Sequence, residues 1–431
     1  MSAENGAARS TASRIVSAVA HDGRSLSQVG PEQLATIASE RDRAFVQACA
    51  YGVLRHYHSL QARLATLMTK PLRRKDGDVE ALLLLGLYQL EHLQVPAHAA
   101  VSATVDGARQ LGKDWACRLV NGVLRAALRQ PRAPDPTGAS DYPGWLSARI
   151  KRDWPDAWPA VLAGGNAQAP LSLRVNLRRS AVAEYLDLLG AAGIVAVRGR
   201  HAPAALLLHE PVAISALPHF AEGWVTVQDE AAQLAATLLA PGPADRVLDA
   251  CAAPGGKSAH LLELGAGDMV ALDQSAARLR QVEENLARLG GSCKLECADA
   301  GTPATWWDGR PFDKILLDAP CSALGVSRRH PDIRLHRRAA DIDQLAAEQR
   351  RLLAALWPLL QVGGRLLYAT CSILPAENDD IIATLLTTRG DVDVVTPLAA
   401  WGRATRYGRQ ILPGSDAMDG FYYALLQRTA T

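Results

Sequence analysis

From about residue 221 onward, short apolar segments that each stop at a polar or small residue alternate with amphipathic stretches. Apolar runs of this length are typical of strands buried on both faces, and helical stretches between them indicate crossover connections. The pattern therefore predicts an α/β domain over residues 221–431, built on a mostly parallel, doubly wound sheet. The predicted strands are Arg246–Ala250, Asp268–Asp273, Lys294–Cys297, Lys314–Asp318 and Arg365–Ala369.

The N-terminal part has a different periodicity. Apolar residues recur at spacings of three and four, which predicts helices that bury one face; an example is the series Val79, Leu83, Leu87 and Leu90. The segments 44–54 and 116–128 follow the same rule, so an all-α domain is predicted over residues 1–135. The proline-rich stretch 130–140 cannot continue a helix and is interpreted as a linker. A small α/β module that binds RNA is predicted over 141–220, with a strand at Leu171–Leu177 and a helix at 181–192.

Composition narrows the class of protein. The chain has 431 residues, 48% of them hydrophobic and 21% charged, which is typical of a globular protein of two or three domains. Residues 1–135 hold 17 Lys and Arg against 12 Asp and Glu. That excess favours nucleic-acid contact, although a solvated basic surface would have the same composition.

The same counts argue against several alternatives. The seven cysteines lack any CxxC spacing, which disfavours a disulfide framework or a zinc site, so no metal is expected. The N-terminus does not have the pattern of a signal peptide. The longest apolar stretch, Leu82–Tyr88, is too short to cross a bilayer. We expect a monomer in the cytoplasm that does not bind a membrane.

A glycine-containing loop follows the first predicted strand and leads into a helix. Glycines allow close approach of a ligand to the backbone, and the amides at the start of a helix can bind it. A phosphate-binding P-loop would need a glycine five positions before Gly256, where this chain has Cys251. The loop therefore predicts a nucleotide-like ligand other than a nucleoside triphosphate.

Carboxylates follow the next two predicted strands. Asp273 ends the second strand, where it could accept hydrogen bonds from ribose hydroxyls. Asp299 follows the third strand and could accept from an adenine amino group. Each aspartate alone could equally be a helix N-cap, but their combination with the loop favours a nucleoside-bearing cofactor. Because the G-x-G-x-x-G spacing is absent, S-adenosylmethionine is preferred over NAD.

Two cysteines come directly after the fourth and fifth predicted strands. Cys321 follows Asp318 within the sequence Asp-Ala-Pro-Cys, and Cys371 follows Thr370. A free cysteine is usually a small buried hydrophobe, but these two are predicted at the cofactor edge of the sheet. A thiolate that adds to carbon 6 of cytosine makes carbon 5 nucleophilic, and a second thiol could assist release of the adduct. Asp318 could stabilise that adduct through ring nitrogen 3 and the exocyclic amine.

These motifs together resemble the NOL1/NOP2/Sun family of RNA cytosine-5 methyltransferases. The resemblance implies a Rossmann-like class I S-adenosylmethionine-dependent methyltransferase domain, with Cys371 as the nucleophile and Cys321 as the release-assisting cysteine. DNA cytosine-5 methyltransferases have the opposite assignment. Further matches are Arg174–Asn176, Val227–Ala231, Arg328–Asp332, Pro375–Asn378, Leu412–Gly414 and Asp419–Ala424. The resemblance assigns cofactor contact to Cys251, Ala252, Ala253, Pro254, Gly255, Gly256, Lys257, Asp273, Asp299 and Asp318.

The N-terminal domain resembles the antitermination factor NusB, through residues 42–46, 51–55 and 120–124. Within the family this fusion is similar to bacterial enzymes that act on 16S ribosomal RNA, which implies small-subunit ribosomal RNA as the partner. A transfer-RNA cytosine-5 methyltransferase and a non-catalytic RNA- or ribosome-binding factor are the alternatives. Four arginines are predicted to contact RNA, although an arginine-rich surface loop would look the same: Arg174, Arg328, Arg329 and Arg334.

Overall fold

The computed structural model describes residues 2–93, 95–130, 135, 137–395 and 399–430, with side chains from residue 6 onward. The chain forms two compact units, one of Met1–Asn166 with Ser327–Arg337 and the other of Ala167–Val326 with Arg338–Thr431. Five of the eleven residues of the predicted linker, 131–134 and 136, lie outside the described residues. The predicted domain boundaries remain predictions. Across the described ranges, no helix has both the length and the apolar character needed to span a bilayer.

The first unit is helical, as the periodicity predicted. Its central helix is mostly apolar and is buried without interruption from Ala81 to Gln89, because neighbouring helices pack around it. The helices of this unit in Met1–Asn166 are α1 (Ser2–Ala20), α2 (Leu26–Leu34), α3 (Glu40–Arg55), α4 (Tyr57–Leu67), α5 (Gly77–Glu91), α6 (Ala97–Gln110), α7 (Cys117–Arg129), α8 (Gly144–Asp153) and α9 (Trp158–Asn166).

The second unit begins with a small antiparallel sheet. Its strand order is β2-β3-β1-β4, and Tyr185 and Leu189 of a single helix pack into its core. The elements are β1 (Ser172–Val175), α10 (Val182–Ala191), β2 (Ala196–Arg198), β3 (Ala205–Leu208) and β4 (Val225–Val227). The predicted strand at 171–177 and helix at 181–192 are confirmed. Helices α8 and α9, which fall in the predicted middle module, belong to the helical unit.

The remaining elements form the large sheet and its helices. They are α11 (Glu230–Leu239), β5 (Arg246–Ala250), α12 (Gly256–Glu263), β6 (Asp268–Asp273), α13 (Ala276–Leu289), β7 (Lys294–Cys297), β8 (Phe312–Asp318), α14 (Ile333–His336, in the helical unit), α15 (Ala339–Leu356), β9 (Leu360–Thr370), α16 (Asp379–Thr388), β10 (Val392–Val395), β11 (Arg403–Ala404), β12 (Arg409–Ile411) and β13 (Phe421–Arg428). The strand order is β11-β12-β13-β9-β8-β5-β6-β7, with β10 paired to β13.

The five predicted strands are confirmed, and they are the parallel part of this sheet. β5 pairs in parallel with β6 and β8, β6 with β7, and β8 with β9. The strands after β9 were not predicted, and they pair antiparallel to it through β13. An antiparallel edge on a parallel sheet is common in such folds. The parallel part places the carboxyl ends of β5, β6 and β8 at one edge, where a ligand site is expected.

The segment Ser327–Arg337 belongs to the helical unit although it is far from the rest of that unit in sequence. The amide of Leu26 donates to Asp332 Oδ2 at 3.0 Å, and Arg55 donates to the Arg328 carbonyl at 3.1 Å. The guanidinium of Arg334 lies 3.9 Å from the centre of the Tyr142 ring. Packing and hydrogen bonds therefore fix this segment to helices and loops from the N-terminal part of the chain.

Candidate active site

The loop after β5 has the backbone conformation expected of a ligand-binding turn. Cys251 has φ 65° and Gly255 has φ 96°, and α12 begins at the next residue. A Cβ on Gly255 would lie 3.0 Å from the Cα of Val282, so only glycine lets α13 pack this closely against the loop. Asn285 of α13 donates to the Pro254 carbonyl at 2.8 Å. The predicted cofactor loop, Cys251–Lys257, is therefore held in place by its neighbours.

Asp273 lies at the end of β6 beside this loop. Its side chain is almost fully buried; Oδ1 accepts from the Ser275 amide at 3.0 Å, and Oδ2 accepts from the Ala253 amide at 3.3 Å. Each carboxylate oxygen can accept a second hydrogen bond. The residue thus both ties the loop to β6 and keeps acceptor capacity for a ligand with hydroxyl groups.

Asp249, on β5, is a candidate that the sequence analysis left out of the cofactor contacts. Its Oδ2 accepts from the Ser258 hydroxyl at 2.6 Å, whereas Oδ1 is buried and has no hydrogen-bond partner among the described residues. Burial raises the pKa of Asp249 to about 7, with smaller opposing contributions from Ser258 and Lys257. A buried acceptor without a donor suits a ligand that supplies one. Its position two residues before Cys251 was the available signal.

The carboxylate of Asp299 is less available to a ligand than predicted, because protein groups already donate to it. Arg351 of α15 donates to both of its carboxylate oxygens at 2.9 Å, and the Gly301 amide donates to Oδ1 at 2.8 Å. The hydrogen bonds from Arg351 are the main reason that the pKa of Asp299 is lowered. A contact between Asp299 and an adenine amino group stays a prediction, and it has to coexist with this exposed ion pair.

Lys257 and Asp318 form an ion pair across the ends of β5 and β8. Lys257 Nζ lies 2.5 Å from Asp318 Oδ2 and 5.2 Å from the centre of the Phe421 ring. Burial lowers the pKa of Lys257, but the charge and hydrogen bond of Asp318 outweigh this effect, so that pKa is raised. The pair therefore places a hydrogen-bond donor and an acceptor side by side at this edge of the sheet.

The two cysteines meet as predicted from the adjacency of β8 and β9. Cys321 Sγ and Cys371 Sγ lie 3.5 Å apart. Cys321 is buried, whereas Cys371 is partly exposed. The hydrogen bond with Cys371, burial, and the negative charges of Cys371 and Glu377 all raise the pKa of Cys321 well above its usual value. The arrangement therefore favours the protonated form of Cys321 and leaves Cys371 as the more accessible of the two thiols.

Glu377, in the Pro375–Asn378 motif, is a further member of this site that was not assigned a role. It follows β9 and is fully buried, and it accepts hydrogen bonds from residues next to both cysteines. The Pro375–Asn378 motif could have indicated this residue from the sequence. An ionisable side chain that is buried requires hydrogen-bond partners, so a glutamate in such a motif is a candidate for a specific role.

The arginines predicted to contact RNA are mostly engaged with the protein. Arg174 is fully buried; it pairs with Glu263 at 2.7 Å and donates to the Gly256 carbonyl at 2.7 Å. Arg334, also buried, donates to the Gly165 carbonyl and to Asn166. Arg328 is buried, and Arg329 is partly exposed. Buried guanidinium groups with protein acceptors are not available to phosphates in this conformation, so the RNA role of these arginines stays a prediction.

Family models match three parts of the chain. The matches are NusB family at residues 6–129, the ferredoxin-like domain of RsmF/B-like methyltransferases at 142–215, and 16S rRNA methyltransferase RsmB/F at 236–427. The first lies in the helical unit and the third mostly in the second unit, whereas the ferredoxin-like match includes the last residues of Met1–Asn166 and continues into the second unit.

Full-length relatives have similar descriptions. The chain is 48% identical to ribosomal RNA small subunit methyltransferase B of Pseudomonas putida, over 98% of both chains. It is also 48% identical to the protein of that name in Pseudomonas syringae pv. tomato, over 98% of this chain and 97% of the relative. The crystal structure of PH0851 has the same fold, with a TM-score of 0.83 at 24% identity over 97% of this chain and 99% of the other.

Proposed function

The chain belongs to the RsmB/F family of 16S rRNA methyltransferases, and on that premise we propose that it methylates carbon 5 of a cytosine in small-subunit ribosomal RNA, in the cytoplasm. S-adenosylmethionine would supply the methyl group from its sulfonium. The observation that carries the choice of carbon 5 is the pair of cysteine sulfurs 3.5 Å apart beside Asp318. A methyltransferase for an exocyclic amine would have no use for a thiol nucleophile.

The residues at the strand ends fit S-adenosylmethionine. Its amino group, ribose hydroxyls and adenine amine are donors, and the edge of the sheet presents acceptors. Among them are the carboxylate of Asp273 and Oδ1 of Asp249, for which the described part of the chain supplies no donor. Gly255 and Gly256 have no side chains, so a ligand can approach the backbone of the loop closely at these two positions. We expect the Cys251–Lys257 loop to hold the methionine part and Asp273 the ribose, with Asp299 near the adenine.

Cys371 would act as the nucleophile. Its thiolate forms a bond to carbon 6 of the cytosine, and the electron pair of the C5–C6 double bond becomes available at carbon 5. Lys257 lies close enough to Cys371 for the two groups to interact electrostatically. Cys371 is also the more exposed of the two sulfurs, as a group that has to reach a base must be.

Asp318 and Lys257 would bind the polar edge of the base. The carboxylate can accept from the exocyclic amine, and the ammonium can donate toward ring nitrogen 3 as negative charge develops there. Because the two groups are held together at 2.5 Å, both are in place before the base arrives. Groups that are already in place lower the cost of stabilising this charge.

Cys321 would assist release. After methylation the carbon 5 proton leaves to water, the C5–C6 double bond forms again, and the bond between carbon 6 and Cys371 breaks. The thiol of Cys321 can donate its hydrogen to the departing sulfur, which lies 3.5 Å away. Its raised pKa keeps that hydrogen in place until this step.

The helical unit would hold the RNA. It matches the NusB family over residues 6–129, and α7 presents Arg118, Arg125 and Arg129 to solvent. Exposed guanidinium groups on a single helix can contact successive phosphates without reading sequence.

The proposed reaction is tested with the purified protein, S-adenosylmethionine and unmodified 16S ribosomal RNA, with transfer RNA as a parallel substrate. Bisulfite sequencing of the product should find 5-methylcytosine at a single position in the ribosomal RNA. Methylation of an amine or a ribose would contradict the choice of carbon 5. A preference for transfer RNA, or binding without methylation, would favour one of the alternative functions.

A further inference from the structure

A buried carboxylate lies between the loops that carry the two cysteines. Glu377 is fully buried, and both of its oxygens accept hydrogen bonds. Oε1 accepts from the Ser322 amide at 2.7 Å and from Gln349 Nε2 at 3.3 Å, and Oε2 accepts from the Ser322 hydroxyl at 2.5 Å and from the Ser372 hydroxyl. Donors at both oxygens are the pattern expected for an ionised carboxylate.

The donors place Glu377 in both catalytic loops. Ser322 directly follows Cys321, and Ser372 directly follows Cys371. The two serine hydroxyls also lie 3.2 Å from each other, so one carboxylate oxygen joins the two loops through a compact cluster. Gln349 of α15 completes the arrangement, since it also donates to the Pro320 carbonyl at 2.9 Å. The loop carrying Cys321 is therefore held at Ser322 by Glu377 and at Pro320 by Gln349 of α15.

Packing alone does not explain an acidic residue at this place. A buried charge is costly, and an apolar side chain of similar size is often as stable or more so. The hydrogen bonds offset that cost only while both loops keep their present positions. A movement of either loop would remove donors from the buried carboxylate, so Glu377 opposes any change in the relative positions of the two cysteines.

We propose that Glu377 is a positioning residue of the methyl-transfer reaction, which holds the Cys321 and Cys371 loops together so that the two thiols can act in succession on one base. The inference rests on the proposed function for the roles of the two thiols. The geometric part, that Glu377 sets the distance between the sulfurs, does not depend on that function.

The charge of Glu377 is a second way to separate the roles of the cysteines. It is one of the contributions that raise the pKa of Cys321, after the hydrogen bond with Cys371, burial and the charge of Cys371. Glu377 therefore adds to the preference of Cys321 for its protonated form.

The geometric part is tested by thiol oxidation of the full chain. Diamide takes two electrons and two protons from a pair of thiols as their disulfide forms, and peptide mass spectrometry identifies the bond between Cys321 and Cys371. In wild-type protein this bond should form readily. In Glu377→Ala it should form at least about tenfold more slowly, because a displacement of about 1 Å can change an intramolecular rate on the order of 100-fold. Wild-type disulfide kinetics in a folded Glu377→Ala protein would overturn the proposal.

A matched control is Glu230→Gln, because Glu230 is also a fully buried carboxylate that accepts from two backbone amides, those of His201 and Ala202. This change should lower thermal stability and leave the rate of disulfide formation within about twofold of wild type, since the donors to Glu230 are His201 and Ala202 and belong to neither cysteine loop. Slowing by Glu230→Gln as large as that by Glu377→Ala would overturn the proposal, because any buried carboxylate would then have the same effect.

Glu377→Gln keeps the test decisive if the alanine variant does not fold. It retains the volume and one acceptor oxygen, but it presents an amide to one of the serine hydroxyls. We expect unchanged affinity for S-adenosylmethionine and single-turnover methylation slowed at least about tenfold. Wild-type rates of methylation and of disulfide formation in this variant would overturn the proposal. If wild-type protein forms no 5-methylcytosine, the proposed function fails, while the disulfide rates still decide the role of Glu377.

Discussion

Cys371 and Cys321 differ in their surroundings although their sulfur atoms lie 3.5 Å apart. Cys321 is buried and has a strongly raised pKa, whereas Cys371 is partly exposed and near the ammonium of Lys257. In the proposed reaction the attacking sulfur has to reach carbon 6 of the base, so the different exposure of the two thiols favours a different role for each. This asymmetry supports the assignment that the family resemblance implied.

Replacing each cysteine separates the two roles. Cys371→Ala should give neither methylated RNA nor a covalent complex, because no sulfur is left to attack, while cofactor affinity stays near normal. Cys321→Ala should allow attack and methylation but slow release, so a protein–RNA adduct should accumulate on a denaturing gel. If Cys371→Ala traps RNA and Cys321→Ala does not, the two assignments are reversed.

Substitution of Asp273 tests its predicted contact with the cofactor. Asp273→Asn keeps the shape of the side chain but removes its charge and one acceptor oxygen. Loss of a hydrogen bond to a charged group should weaken S-adenosylmethionine binding by about 1.5–3 kcal/mol, measured by calorimetry. Asp268→Asn, at the exposed start of the same strand, is the control and should bind normally. Equal affinities for the two variants would remove Asp273 from the cofactor site.

Strand β1 and helix α12 are joined by a buried ion pair. Arg174 of β1 is fully buried and pairs with Glu263 of α12 at 2.7 Å, and it also donates to Gln228 and to the Gly256 carbonyl. Through these bonds the small sheet supports the first turn of α12, which follows the cofactor loop. The arginine predicted as an RNA contact therefore has a structural place in this fold.

Removing one partner of this pair should be strongly destabilising. Arg174→Met leaves Glu263 buried without its cation, which should lower the free energy of unfolding by about 3–5 kcal/mol. The double variant Arg174→Met with Glu263→Leu should recover much of that loss, because no uncompensated charge remains. Chemical denaturation measures both effects. A single variant as stable as wild type would show that the pair does not hold β1 to α12.

The elements that could be predicted are those whose pattern is local. β5, β6 and β7 begin and end where their apolar runs do, and the meeting of the cysteines followed from the neighbouring positions of β8 and β9. The ion pair of Asp299 with Arg351 and the burial of Arg174 were not predictable, because each depends on a partner more than 50 residues away. A charge in the sequence does not reveal whether it meets solvent or a distant opposite charge.

At the scale of the whole molecule, the division into two units does not follow the order of the chain. The helical unit contains Ser327–Arg337, which continues directly from the loop carrying Cys321. Asp332 and Arg328 of this segment are hydrogen-bonded to residues of the first 55. Removing residues 1–135 would therefore take away partners of the segment as well as any RNA-binding surface.

Surface variants test the RNA role of the helical unit more cleanly than truncation. Replacing Arg118, Arg125 and Arg129 of α7 with glutamate should weaken binding to 16S ribosomal RNA and reduce the salt dependence of that binding, because fewer phosphates are neutralised. Affinity for S-adenosylmethionine and thermal stability should stay near wild type. The truncated chain 136–431 should additionally lose stability. Wild-type RNA affinity in the triple variant would show that α7 is not part of the RNA-binding surface.

The place of Ser327–Arg337 has a consequence for the order of events during synthesis. A ribosome makes Met1–Asn166 first, yet the compact unit to which these residues belong also includes residues up to Arg337. Tyr142 and Asn166 can form their contacts with Arg334 only after Arg334 has been synthesised. Strands β5 to β8 are all translated before that point. The synthesis of the helical unit therefore starts first but is completed only when Arg337 has been made. Nascent chains halted before residue 327 should carry an incomplete helical unit that proteases cleave and chaperones bind more readily.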